Sequence, residues 1–147
     1  CAVVGRDERV RLFLGNCNAG KTTTARLAQE RKVLGDDINL LEVRDDGLYA
    51  SSILLGGNKN YKRPLHERYP VDSVYWLIKD DHNKIRVHRA GERLRKFSHG
   101  VFLWTPPRKM QQLGQDCLQV LARVPHTVRS YDLHFRKTTE FWNILNC

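Results

Sequence analysis

Apolar and polar residues alternate in short bursts along most of this chain, and the bursts predict many strands and few helices. Val3-Val4 and Arg9-Val-Arg-Leu-Phe-Leu14 read as two strands around the polar turn Gly5-Arg-Asp-Glu8. The second alternates basic and apolar residues, as a half-buried strand does. Gly15-Asn-Cys-Asn-Ala-Gly20 is a turn-forming loop. Thr22 or Thr23 then caps a helix running through Ala25, Leu27, Ala28 and Leu34, with Gly35 as its stop. Ile38 to Val43 reads as the next strand, closed by Asp45-Asp46-Gly47, and Tyr49 to Leu55 as a short one before the open loop Gly56 to Asn60. The apolar block Val74 to Ile78 and the alternating Lys84 to His88 are two more, joined by the turn Asp80 to Asn83.

Beyond residue 90 the pattern changes. Val101 to Trp104 reads as a strand stopped by Pro106-Pro107. Met110, Leu113, Cys117, Val120 and Leu121 fall at helical spacing over Arg108–Arg123, and Pro125 ends that helix. Tyr131, Leu133 and Phe135 alternate as in a strand, and Phe141 to Leu145 suits a short terminal helix. The expected organisation is a domain over residues 1–90, with 91–147 as a basic extension or the start of a following domain.

Composition narrows the function classes. The 147 residues hold no apolar run near the roughly 20 residues a spanning helix needs, and no secretory signal. The chain opens at Cys1 without an initiator Met, as expected of a piece cut from a longer protein. Twenty-five Lys and Arg against 16 Asp and Glu leave a net +9. Such charge speaks to partners: nucleic acid, an anionic lipid surface, nucleotide phosphates or an acidic protein face. The densest basic run is Lys84 to Lys96, which reads as either a solvated face or a binding patch. The four cysteines and six histidines do not cluster as zinc ligands do, so reduced thiols and a cytoplasmic location are expected, with no metal site.

The sharpest motif is Gly15-Asn-Cys-Asn-Ala-Gly20-Lys21-Thr22, which matches GxxxxGK[ST] in full after a strand and before a helix. In nucleotide-binding proteins the glycines let backbone N–H groups wrap phosphates, the lysine reaches the terminal phosphates, and the hydroxyl coordinates magnesium. On this reading Gly15, Gly20, Lys21 and Thr22 bind a Mg-nucleotide in an α/β phosphate-loop fold, and any activity is that of an NTPase or kinase. The rest of the chain pulls the other way. A parallel sheet needs crossover helices, and residues 44–73 show two Gly-rich turns and two prolines instead. The second acidic motif that should hold magnesium has one candidate, Asp80-Asp81, with Lys79 in front of it.

The order hairpin, helix, further strands also suits a ubiquitin-like β-grasp, an α+β fold. Here the sequence resembles the Ras-associating domains and the related first lobe of FERM domains. Three stretches carry the likeness: Thr22-Thr-Thr-Ala-Arg-Leu-Ala; Ile38-Asn-Leu-Leu-Glu-Val43 with Asp45-Asp46-Gly47; and Arg63-Pro-Leu-His-Glu-Arg-Tyr-Pro70 followed by Trp76 and Lys84-Ile-Arg-Val-His88. The resemblance implies a non-catalytic interaction module of a signalling or scaffold protein. It would add its second strand to the edge of a Ras-type small GTPase, or meet another acidic protein surface, and would need no cofactor. The matching basic positions are Arg9, Arg11, Lys21, Arg26 and Arg31. A basic nucleic-acid or anionic-membrane binder is the third class. No catalytic constellation stands out: the Asp36-Asp37, Asp45-Asp46 and Asp80-Asp81 pairs sit at turns, where Asp is favoured for backbone reasons.

Overall fold

The computed structural model describes residues 1–53, 66–100 and 128–145. The elements are β1 (Ala2–Val4), β2 (Val10–Leu14), α1 (Lys21–Arg26), β3 (Lys32–Gly35), β4 (Leu40–Arg44), β5 (Gly47–Ser51), β6 (Arg68–Lys79), β7 (Lys84–Val87), α2 (Ala90–Gly100), β8 (Arg129–Phe135) and α3 (Phe141–Ile144). The fold is α+β: one mixed sheet with a few short helices. The expected strand over Val101–Trp104 and helix over Arg108–Arg123 lie outside the described residues.

Pairing runs β3-β1-β2-β6-β5-β4, and β8 joins β6 and β7. The hairpin β1–β2 forms as expected. β3 returns antiparallel to β1, β2 runs parallel to β6, and β8 runs parallel to β6 over Ser73 to Lys79. Three neighbours, β2, β6 and β8, therefore share one direction. β3 shares it too, because both β2 and β3 oppose β1. The expected boundary at residue 90 falls within this sheet, since β8 is hydrogen-bonded along β6.

Two apolar layers hold the sheet. On one face Val3, Phe13, Tyr75, Leu77, Leu133 and Phe135 pack against Ala25 and Ala28 and against Phe141 and Trp142 of α3. On the other, Val4, Val10, Leu12, Val71 and Val74 pack with Phe97 of α2. β6 serves both faces because its phase shifts once. Val10 pairs with Val71 but Arg11 with Ser73, so Asp72 is an extra residue and the alternation flips beyond it. The aromatic cluster is tight: Phe13 stacks on Tyr75 at 5.5 Å and meets Trp142 edge-on at 5.6 Å. Trp142 Nε1 donates to Leu27 O at 2.7 Å, which fastens α3 to the end of α1.

Two local expectations change. The first helix stops at Arg26 instead of running to Leu34. Gln29 takes a left-handed φ of 56°, which breaks the helical path. Val33 and Leu34 then bury on opposite faces, as a strand requires, so β3 occupies the expected helix end. Conversely, α2 grows from the second half of the basic run Lys84 to Lys96, for which no helix was expected. Glu92 stabilises its first turn by accepting Arg89 N at 3.2 Å and pairing with Arg86.

Candidate functional site

The loop Gly15–Gly20 leaves the C-terminal end of β2 and enters α1 directly. Ala19 N donates to Asn16 O at 3.1 Å, closing a turn, and Asn18 holds a left-handed φ of 63°. Gly20 sits at φ 117°, where an added Cβ would come within 2.6 Å of Phe135 Cζ. A Cβ on Gly15 would stand 2.7 Å from Ala19 Cβ and 3.5 Å from Leu77 O. The loop thus rests on β6 at Leu77 and on β8 at Phe135, with glycine required at the point of closest approach. Lys21 folds back over it: Nζ donates to Gly15 O and Asn16 O, both at 2.9 Å. Gly20 O accepts Thr24 N at 2.8 Å and Thr24 Oγ1 at 3.1 Å. Gly20, not Thr22 or Thr23, is the N-cap residue, and no side chain caps the helix. The Thr22 side chain faces solvent.

No protein-family model, curated protein or solved structure matches this chain. The site is characterised by its own geometry. Because β2, β3, β6 and β8 run the same way, their C-terminal ends gather at one end of the sheet, where open α/β sheets bind ligands. Asp36 and Asp37 follow β3; the first is buried and the second exposed. The backbone nitrogen of Cys1, which donates to Phe13 O at 3.0 Å, lies within electrostatic reach of Lys21, Asp36 and Asp37. Asp80 follows β6, with His134 Nδ1 at 2.8 Å from its Oδ2 and the Asp81 and His82 amides donating to its Oδ1. The His134 hydrogen bond, helped by those amides and by Lys84, holds the Asp80 carboxyl at about 2.

The five basic residues expected at a protein interface do not gather. β2 lies between β1 and β6, so both of its edges are hydrogen-bonded, and strand addition through β2 finds no open backbone. Arg11 is only 4% exposed, and its guanidinium pairs with Asp7 and donates to Arg9 O. Arg9 precedes β2 while Lys21 follows it, at opposite ends of the strand. Arg26 is exposed on the last residue of α1, and the Arg31 guanidinium lies 4.4 Å over the Trp142 ring. A cavity of about 460 Å³ lined by Arg6, Gln29 and Lys32 sits at the end of β2 remote from the loop.

Sequence patterns gave no sign of one charged cluster. Asp132, 2% exposed on β8, accepts from His88 Nε2 at 2.8 Å and from Arg86 and Lys96. His88 Nδ1 lies 2.8 Å from Ser130 Oγ. Ser130, His88 and Asp132 form a hydrogen-bonded series. Its imidazole is almost wholly buried and its carboxylate is shared with two cations. That arrangement anchors β7 and α2 to β8. Burial alone would raise the Asp132 carboxyl; bonds from Lys96, His88 and Arg86 outweigh it and hold it at about 2. Among the described residues no three His, Cys, Asp or Glu side chains form a metal cluster, and no helix is long and apolar enough to cross a membrane.

Proposed function

We propose that this chain binds the phosphates of a nucleoside triphosphate at the loop Gly15–Gly20 with Lys21. The observation that carries the reading is Lys21 curled over a GxxxxGK[ST] loop at the carboxyl end of parallel strands, its ammonium 2.9 Å from two loop carbonyls. A phosphate offers that ammonium anionic acceptors in place of two neutral carbonyl oxygens, so charge attraction adds to the hydrogen bond. The loop needs only Lys21 to turn outward. On this reading β2, β6 and β8 are the parallel core of an α/β phosphate-loop sheet, with β1, β3, β4 and β5 as antiparallel additions.

The residues present also fit a magnesium ion accompanying the nucleotide. Magnesium keeps several waters and takes phosphate oxygens with one or two carboxylates, so it does not need a cluster of three acids. Thr22 offers an exposed hydroxyl at the loop, and Asp36 and Asp80 stand at the ends of strands that flank it. The ion would supply neutralisation of charge on the phosphate oxygens. Asp36 and Lys21 both act electrostatically on the buried Cys1 amine, and Asp80 is engaged by His134 and Lys84.

The test is ligand-linked stabilisation. A ligand at about 100 times its Kd raises unfolding free energy by about 2.7 kcal/mol, a shift of roughly 5–10 °C in Tm for a chain of this size. Mg-ATP or Mg-GTP is expected to raise Tm by that order in the wild type and to leave Lys21→Ala unmoved. Equal Tm with and without nucleotide would remove the reading.

A further inference from the structure

The loop has a charged neighbour that phosphate binding does not use. Gly15 packs on Leu77 of β6 and Gly20 on Phe135 of β8. Lys79 is two residues past the first contact and Arg136 one past the second, so both backbones lie within about 7 Å of the loop floor along their strands. The two turns there are fastened together. Asp80 N donates to Phe135 O at 3.2 Å, His134 holds Asp80, and Arg136 N donates to Asn83 Oδ1 at 2.9 Å. From this braced platform Lys79, Lys84, Arg136 and Lys137 project as exposed side chains, against Asp81 and Glu140 as exposed acids. Lys84 lies 3.6 Å from Asp80, while Lys79, Arg136 and Lys137 have no ion-pair partner among the described residues.

We infer that this platform docks an acidic peptide segment of a second protein and so brings it alongside the phosphates held at the loop. Asp80, the acid nearest these cations, is already engaged by His134 and Lys84, which leaves Lys79, Arg136 and Lys137 to meet a partner's carboxylates. The partner's carboxylates complete the set, and such complementarity acts on encounter rate and partner choice. A peptide fits better than a single-stranded nucleic acid. Nucleic-acid grooves pair cations with aromatic platforms, and residues 79–84 and 134–140 expose no Phe, Tyr or Trp ring. The inference adds a second substrate or partner to the loop reading and rests on that reading for its purpose.

The experiment is fluorescence anisotropy with a labelled Glu/Ser peptide, a Gln/Ser peptide of equal length and a single-stranded oligonucleotide, without nucleotide, at about 0.15 M salt. The acidic peptide is expected to bind at least about tenfold tighter than the neutral one. Arg136→Glu with Lys137→Glu should weaken it at least about tenfold, and the milder pair Arg136→Gln with Lys137→Gln should fall between. Arg6→Glu with Arg9→Glu changes net charge equally at the far end of the sheet and should cost less than about threefold. Equal losses from both reversals would mean net charge alone, and would overturn the inference. So would equal binding of the neutral peptide, or tighter binding of the oligonucleotide. Lys21→Ala should keep peptide binding, so failure of the nucleotide reading registers separately in its own titration.

Discussion

Replacing Gly20 with alanine probes the loop and its support together. The backbone at Gly20 has φ 117° and ψ 14°, a conformation side chains with a Cβ rarely adopt. Holding alanine there costs about 1–3 kcal/mol. The new methyl would also meet Phe135 Cζ at 2.6 Å. Phe135 is 1% exposed and is met by Phe141 at 5.5 Å, so its ring has little room to retreat. Overpacking of that kind adds about 1–3 kcal/mol. The sum, about 2–6 kcal/mol, corresponds to a Tm lowered by roughly 5–20 °C. Urea denaturation followed by tryptophan fluorescence measures it directly, since Trp142 lies in the same cluster. A companion variant separates the two contributions. In a Phe135→Leu background the ring is gone, and the alanine should cost only the backbone part, about 1–3 kcal/mol. A Gly20→Ala protein within about 0.5 kcal/mol of wild type, or an identical cost in both backgrounds, would show that the loop does not rest on Phe135.

Other outcomes follow from the charged and aromatic contacts. Asp132→Ala leaves Arg86, Lys96 and His88 around an empty acceptor and should cost about 3–5 kcal/mol in denaturant unfolding. The folded Asp132 carboxyl lies below its ordinary value, so its contribution is present above pH about 4 and lost as pH falls through about 2. An acid titration of stability should be flatter over that window in Asp132→Asn; an unchanged slope would deny the network this role. Trp142→Phe removes the bond to Leu27 O and leaves a smaller ring beneath Arg31; a loss of about 1–3 kcal/mol is expected by thermal melting, and none if α3 is not fastened there.

How much of this was legible in the sequence depends on whether the signal was local. The hairpin, the loop and β8 were legible because their alternation and turn residues are contiguous: Arg9 to Leu14 and Tyr131 to Phe135 show period two on their own. The end of the first helix was not. Val33 and Leu34 fit a helical stripe as well as a strand, and the left-handed turn at Gln29 that decides between them has no composition signature. That misreading hid Asp36-Asp37. Taken as residues after a helix they look like an ordinary turn; in the fold they follow β3, whose direction matches that of β2. The parallel pairing of β6 with β2 and with β8 was likewise hidden, because strand direction depends on contacts between residues more than fifty positions apart. Arg11 illustrates the same limit from the other side. Its alternation predicted an exposed basic face, but β2 is interior, and Asp7 is placed to neutralise it.

The claim underlying the whole account is that Lys21 closes a phosphate-binding loop, and isothermal titration of Mg-ATP and Mg-GTP into the wild type and Lys21→Ala measures it most directly. Two charge-assisted bonds lost together amount to about 3 kcal/mol or more, so the account predicts saturable binding by the wild type and affinity lowered at least about a hundredfold in the variant, with unchanged circular dichroism. A flat trace for the folded wild type, or equal affinity in both proteins, would contradict it.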